Sequence, residues 1–362
     1  MKRISNLYDQ IISLDNLRRA DEKARRGKLH TYGVKTHDLN REANLLALHE
    51  TLLTKRFRTS PYEVFVVREP KERLIYRLPY YPDRIVHHAI MNVLEPIWLK
   101  VFPYNTYSCI KGRGIHGAMK RVKEILRDKE NSRYCLKIDI KKFYPSVVHV
   151  VAKRIIRRKI KCKDTLALLD EIIDSVNGFP DPLDTENVCQ GRSLPIGNYL
   201  SQYLANYLSQ YLANLILSYL VHKINEKKGI KGVIYADDGV FFAKTKEALH
   251  NLRRFIDEYL SRELQLTLKG NYQVFPIAEN RYDKHGRGLD FVGFVFYHNQ
   301  TQIRKSIKKN FCRATARLNR RNPPVSVKEY KQGICSWLGW AKYSDSKHLL
   351  KTIIKQDVYG KL

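Results

Sequence analysis

Two adjacent carboxylates, Asp237 and Asp238, interrupt an otherwise apolar stretch, Gly232-Val-Ile-Tyr-Ala-Asp-Asp-Gly-Val-Phe-Phe242. The pattern reads as a strand, a tight acidic turn and a second strand. Asp238-Gly239 supplies turn chemistry, but an ordinary hairpin has no use for two neighbouring carboxylates between hydrophobic arms. Such groups repel unless they share a cation. Two divalent ions about 4 Å apart are the apparatus of in-line nucleotidyl transfer, one activating the attacking oxygen and one neutralising the pyrophosphate. Hard oxygen ligands select Mg²⁺, with Mn²⁺ as a substitute. A third carboxylate, Asp139, ends the apolar run Tyr134-Cys-Leu-Lys-Ile-Asp139 and is followed by Ile140-Lys-Lys-Phe-Tyr144-Pro145-Ser146.

The elements that must position these groups follow from periodicity. Residues 1–60 read as helical, with Leu45, Leu46, Leu48, Leu52 and Leu53 expected on one face. Val64, Val66 and Val67, then Leu74-Ile75-Tyr76, predict two strands joined by a turn at Glu69-Pro70-Lys71-Glu72. Helices are expected over 84–100, after Gly117 and through most of 147–178, and Gly178 to Arg192 reads as a polar loop. A long helix over roughly 198–226 leads into the 232–243 hairpin; a helix, a strand and a second hairpin near 290–304 follow. From residue 305 the chain reads as a separate basic helical unit. One repeat stands out: Tyr199-Leu-Ser-Gln-Tyr-Leu-Ala-Asn206 recurs unchanged as residues 207–214. Eight extra helical residues add two turns plus about 80°, and a local tandem duplication without a catalytic role accounts for it.

With 362 residues the chain can bury a substantial core, in two or three subdomains. Lys and Arg number 66 against 36 acidic residues, a formal charge of +30. Solubility asks only ~2–8 of a small domain, so a polyanion, nucleic acid above all, is the implied partner. Lys305, Lys309, Arg313, Arg317 and Arg321 form an i, i+4 stripe without acidic partners at that spacing, opposite Ile307, Phe311, Ala314 and Leu318. No apolar run approaches the ~20 residues of a membrane span, and the first residues lack the apolar core of a signal peptide. Six scattered cysteines without a Cys-x-x-Cys pair argue against zinc and disulfides and suit a reducing cytoplasm. A rival lies in Gly112-Arg-Gly114-Ile-His-Gly117, which matches a dinucleotide-binding fingerprint with Asp139 placed 22 residues beyond Gly117. Against it stand the polar, Pro-bearing segment before the glycines, the flanking Lys111 and Arg113, and the net charge.

Asp139 with an aromatic five residues later, followed in order by Tyr-Ala-Asp-Asp at 235–238, resembles the palm of reverse transcriptases. The resemblance implies an α+β, right-hand polymerase fold: fingers, a palm of antiparallel sheet plus helices, and a helical basic thumb. Its expected boundaries are a helical extension at 1–60, fingers and the start of the palm at 61–135, palm with a fingers insertion at 136–300, and thumb at 301–362. It further implies that Asp139 and Asp237 bind two Mg²⁺ ions with Asp238 assisting. Tyr144 becomes the gate that excludes a ribose 2′-OH, Lys71 and Arg73 grip the incoming triphosphate, and Ile140, Ile196 and Gly197 line the nucleotide. Leu266-Thr-Leu-Lys269 resembles the segment whose lysine protonates pyrophosphate. Phe291-Val-Gly-Phe294 resembles the primer grip, and the stripe from Lys305 to Arg321 tracks the template–primer backbone.

Leu194-Pro195-Ile196-Gly197-Asn198-Tyr199-Leu200-Ser201-Gln202 departs from most reverse transcriptases, which place Gln before that Gly and Pro after that Ser. It resembles the diversity-generating retroelement enzymes, bacterial and phage proteins that copy a template repeat with errors at adenines. Tyr107–Gly117, Ile303–Lys309 and Ser336–Ala341 share the likeness. The duplication supplies two Ser-Gln pairs for one family position; the first adjoins Gly197. Implied partners are a template RNA, a cDNA or RNA primer, dNTPs and a small basic accessory variability protein. Group II-like, retron-like and phage-defence reverse transcriptases are the rivals within the class. A polymerase-derived binding protein without catalysis is the rival outside it, disfavoured by three intact carboxylates.

Overall fold

The computed structural model describes residues 3–68, 72–195, 207–321, 325–355 and 360. Four helices open the chain: α1 (Tyr8–Ile12), α2 (Leu14–Ala24), α3 (Tyr32–Asp38) and α4 (Arg41–Leu53). A hairpin of β1 (Glu63–Val67) and β2 (Arg73–Arg77) leads through a π-helical turn at Tyr80–Arg84 to α5 (Ile85–Leu99) and α6 (Gly114–Arg127). Next come β3 (Tyr134–Asp139), α7 (Phe143–Ser146), α8 (His149–Arg157), α9 (Lys163–Asp174), β4 (Pro180–Asp181), β5 (Asp184–Val188) and α10 (Tyr207–Asn225). The hairpin β6 (Lys231–Tyr235) and β7 (Asp238–Ala243) precedes α11 (Lys246–Tyr259), β8 (Gln273–Pro276), β9 (Leu289–Phe291), β10 (Phe294–Phe296) and β11 (Thr301–Ile303). Helices α12 (Lys305–Asn319), α13 (Val327–Lys342) and α14 (Lys347–Ile353) close the chain. The expected mixture of helices with an antiparallel sheet is what forms.

The chain divides into two compact units. One holds residues 1–104, 140–223 and 255–269; the other holds 105–139, 224–254 and 270–362. In the first, Leu45, Leu48 and Leu52 are buried, whereas Leu46 and Leu53 are 53% and 58% exposed. The expected five-leucine face is thus a three-leucine stripe at i, i+3, i+7, with Leu46 and Leu53 turned about 100° from it. The buried carboxylate of Asp21 accepts from Arg25 at 2.9 Å, Arg41 at 2.6 Å and the Tyr80 hydroxyl, which ties α2 and α4 to the turn before α5. A buried charge persists only when paired in this way. The expected polar loop at 178–192 contains the short antiparallel β4–β5 ladder, and Arg192 pairs with buried Asp181 at 2.6 Å.

In the second unit four antiparallel strands lie in the order β6-β7-β3-β8. Period 2 assigns Cys135, Val240, Phe242, Val233 and Phe275 to one core, on which α6 lays Ala118, Met119, Val122, Ile125 and Leu126. On the other face, Phe241 lies against two glycines: a Cβ on Gly232 would meet its ring at 2.6 Å, and one on Gly239 at 3.0 Å. The free side of β6 is covered by the segment before α6, where Ile234 N donates to Asn105 O at 2.9 Å and Tyr107 N to Ile234 O at 3.0 Å. The neighbours of β3 are β7 and β8, and the segment before the glycines lies against β6 instead, so Gly112, Gly114 and Gly117 do not join the two adjacent parallel strands that the dinucleotide reading needs. Gly112 and Gly114 instead sit at φ 81° and 56°, and Gly117 abuts the Tyr107 ring, where a Cβ would come within 3.1 Å.

The second hairpin expected near 290–304 is a three-stranded sheet, β11-β10-β9, whose first turn, Val292-Gly293, has φ of 42° and 86°. Helices α12–α14 do build a core of their own, around Phe311, Tyr330 and Ile334, but Trp340 belongs to it and to the sheet's core alike. The C-terminal stretch is therefore not separate. A Cβ on Gly293 would strike the Trp340 ring at 2.3 Å.

Substituting Gly232→Ala should destabilise the protein by roughly 1–3 kcal/mol, the usual cost of overpacking a filled core. Equilibrium denaturant unfolding measures it, and a midpoint equal to wild type would mean that Phe241 does not fix the hairpin.

Candidate active site

The β6–β7 hairpin pairs Tyr235 with Asp238, leaving Ala236-Asp237 as a two-residue turn. Ala236 takes φ 55°, a left-handed conformation uncommon for a residue with a Cβ, so the turn stays tight and holds Asp237 at its tip. On the other side of β7, the β3 ladder sets Asp139 directly opposite Asp238. Opposed residues of an antiparallel pair share a face, with Cβ atoms about 4.5–5.5 Å apart, and like charges there are destabilising. Tyr235 and Lys137 share that face by the same alternation, and Lys137 Nζ is drawn off to the Asp290 carbonyl at 2.7 Å. All three carboxylates are half-buried.

Three carboxylates at one end of one sheet suit a hard divalent cation. Among the described residues, no three His, Cys, Asp or Glu side chains close into a metal cage. An open edge is the arrangement Mg²⁺ uses when it keeps several waters and completes its shell with substrate phosphates. Asp139, Asp237 and Asp238 would hold it.

Other residues singled out in the sequence fall as follows. Ile140, Tyr144, Lys269 and Arg73 belong to the first unit, and the carboxylates to the second. Ile140 bridges Leu268, and Lys141 N donates to Thr267 O at 2.8 Å, so Lys269 sits one residue beyond a bridge that begins next to Asp139 in the chain. Tyr144 is half-buried in α7, its ring edge-on to Phe143 at 5.4 Å. Arg73 is exposed on β2. Lys71, Ile196 and Gly197 lie outside the described residues, as do residues 198–206 of the expected long helix. Lys305, Lys309, Arg313, Arg317 and Arg321 are all exposed; Arg321 lies past the end of α12, so the helical stripe has four members. Opposite them Ile307, Phe311 and Leu318 pack inward, with Phe311 stacked on Trp337 at 6.1 Å.

Sequence reasoning missed a brace behind Tyr144. Leu194 N donates to Tyr144 O at 2.9 Å and Ser193 N to Val147 O at 2.9 Å. Buried His149 contacts Ser193 O through Nε2 at 2.9 Å and Asp174 through Nδ1 at 3.0 Å. These partners are tens of residues apart and follow no period, so nothing in the sequence announces them.

Mg²⁺ should raise the thermal midpoint of the wild-type protein, by an amount that grows as RT ln(1 + [Mg²⁺]/Kd). Asp139→Asn should stabilise the metal-free protein by about 0.2–1 kcal/mol, because it removes a like-charge pair, while abolishing the response to Mg²⁺. Differential scanning calorimetry with and without Mg²⁺ reads both. An undiminished response in the variant would detach Asp139 from metal binding.

Residues 69–271, more than half of the chain and including Asp139, Asp237 and Asp238, match the family model described as "Reverse transcriptase (RNA-dependent DNA polymerase)". Protein YkfC of Escherichia coli (strain K12) is 27% identical over 128 residues, 34% of this chain and 34% of that protein. Among solved structures, apo telomerase from Candida tropicalis aligns over 81% of this chain and 60% of its own, with a TM-score of 0.48 and 10% identity. Telomerase from Candida albicans with a fragment of telomeric RNA aligns over 74% and 52%, with a TM-score of 0.47 and 9% identity. The chain thus spans about a third of its curated relative and little more than half of these two structures.

Proposed function

The chain belongs to the reverse transcriptase (RNA-dependent DNA polymerase) family, and from that premise we propose that it copies an RNA template into cDNA. The observation that carries this reading is the register that sets Asp139 against Asp238, with Asp237 at the tip of the adjoining turn. Bound there, two Mg²⁺ ions would supply activation of the primer 3′ oxygen and neutralisation of the pyrophosphate.

The chain's own residues do the rest. Asp139 and Asp237 orient the ions and Asp238 assists. Tyr144, braced through its carbonyl by Leu194, presents a ring that excludes a 2′-OH. Lys71 and Arg73 hold the triphosphate, Arg73 through its bidentate fork, while Ile140, Ile196 and Gly197 contact the nucleotide. Lys269 gives a proton to the leaving pyrophosphate. Residues 61–135 act as fingers, 136–300 as palm and 301–362 as thumb, the last laying its basic stripe along the template–primer duplex. No helix among the described residues is long and apolar enough to cross a membrane. The free cysteines at 109, 135, 162, 189, 312 and 335 suit a bacterial or phage-infected cytoplasm.

Within the family we assign the chain to the error-prone enzymes of diversity-generating retroelements, with a structured template RNA and a small basic accessory protein as partners. What supports the subtype is Ile196 in place of Gln. A Gln amide would hydrogen-bond the nucleotide or its neighbours and hold geometry, whereas Ile offers only shape. A neutral hydrogen bond is worth about 1 kcal/mol, a several-fold change in discrimination.

Purified protein given an RNA template, a primer, dNTPs and Mg²⁺ should extend the primer, and Asp237→Ala should not. Absent extension by wild type, or full activity in the variant, refutes the polymerase. Sequencing of the cDNA tests the subtype: Ile196→Gln should lower misincorporation opposite template adenine several-fold. An unchanged error spectrum sinks that assignment and favours a group II-like, retron-like or defence enzyme.

A further inference from the structure

Two adjoining depressions of about 540 and 460 Å³ run along the N-terminal helices and share Pro96 and Ile97 of α5. None of the residues lining them is acidic, and five are basic: Arg3, Arg19, Lys23, Lys100 and Lys159. All five belong to the first unit, and none is among the residues assigned above to catalysis or to nucleotide and primer binding.

Several basic side chains elsewhere on this unit are paired with carboxylates. Arg18 meets Glu42 at 3.0 Å, Lys55 meets Asp164 at 2.8 Å and Arg157 meets Asp170 at 2.5 Å. Among the described residues, Arg3, Arg19, Lys100 and Lys159 make no such pair. The charge continues towards the start of α5. Lys28 is only 7% exposed, and burial, then Arg84, pushes its ammonium down to about 7. Burial, then Lys28, Arg84 and Lys23, pushes His88 down to about 4. Lys28, Arg84, His88 and Lys23 thus add positive charge beside the groove.

The groove is also pre-ordered. Lys23 Nζ donates to Asn92 Oδ1 at 2.6 Å, Asn92 Nδ2 donates to Asn16 Oδ1 at 3.0 Å, and Asn16 Nδ2 donates to the Ile11 and Ala89 carbonyls at 2.8 and 3.0 Å. No lining residue is aromatic, so the groove offers no platform for stacked, unpaired bases. Fixed amides and unpaired cations suit a polyanion recognised by its backbone alone.

We propose that this groove binds the phosphodiester backbone of a double-helical RNA segment, separately from the template–primer held for copying. The proposal rests on the polymerase reading only in taking RNA as the polyanion.

Binding of the full chain to an RNA hairpin carrying no primer junction should be measured over roughly 50–200 mM salt, where each phosphate contact adds about 0.7–0.9 to the log–log slope. The triple substitution Arg19→Gln, Lys100→Gln, Lys159→Gln should shallow that slope by about 2–3 and weaken binding more than tenfold. Extension of a short unstructured template by the same variant should be unchanged. Removing three exposed charges from the other unit, Lys123→Gln, Lys228→Gln and Lys284→Gln, should leave the hairpin slope within one contact of wild type. An unchanged slope in the groove variant overturns the proposal and leaves the row to an acidic protein surface. An equal loss in the control variant overturns it too, because the effect is then net charge alone. Failure of wild type to extend any primer would refute the polymerase and leave the hairpin result standing by itself.

Discussion

Two carboxylates held face to face across an antiparallel ladder repel, and everything around Asp139 and Asp238 prevents the ladder from yielding to that repulsion. Because side chains alternate with period 2, a slip of one residue would carry Asp139 opposite Gly239 and reverse every side chain of β3. Such a slip would drive Cys135 out of the core beneath α6 and Leu136 into it. On the opposite face, Ile138 of β3 closes on Gly239, where a Cβ would come within 3.0 Å of it, and Phe241 against Gly232 fixes the neighbouring β6–β7 register in the same way. The outer strand β6 is locked by the 105–107 segment, so the acidic turn cannot move by fraying from the edge. The energy that holds like charges together is thus hydrophobic and comes from residues with no chemistry of their own.

The positive charge obeys a different logic. Where a cation serves structure it is paired: Arg25 and Arg41 on buried Asp21, Arg192 on buried Asp181, Arg304 on Asp290 at 2.5 Å. On α12, and at Arg3, Arg19, Lys100 and Lys159 around the N-terminal groove, basic side chains stand without a carboxylate partner among the described residues. A net +30 matters less than this division, because paired charges contribute little at long range while unpaired rows sum.

The hairpin and the strand ending at Asp139 were legible in the sequence because most side chains on both faces of these strands are buried, which writes them as largely apolar runs, broken in β3 only by Lys137 and bounded by turn residues. The basic stripe was legible because four spaced cations outline a helix, though Arg321 continues the spacing beyond the last turn. Leu46 and Leu53 misled because adjacent leucines look alike in sequence and differ by a third of a helical turn in space. The β4–β5 ladder was hidden, since a two-residue strand beside a polar one has no periodicity to read. Gly112, Gly114 and Gly117 gave a fingerprint that only strand order could reject. The brace from Leu194 to Tyr144 joins positions fifty residues apart and exists only after folding.

Trp340 lies in two cores at once, and its ring fills the space that a side chain on Gly293 would need. This shared indole sets the boundary of the heritable module. A recombination that exchanged the C-terminal helices between relatives would have to bring the Val292-Gly293 turn with them, or insert an unmatched ring into a sheet shaped for another. The crossover points that leave a foldable chimaera therefore lie before β9, some way upstream of the place where the basic helices begin.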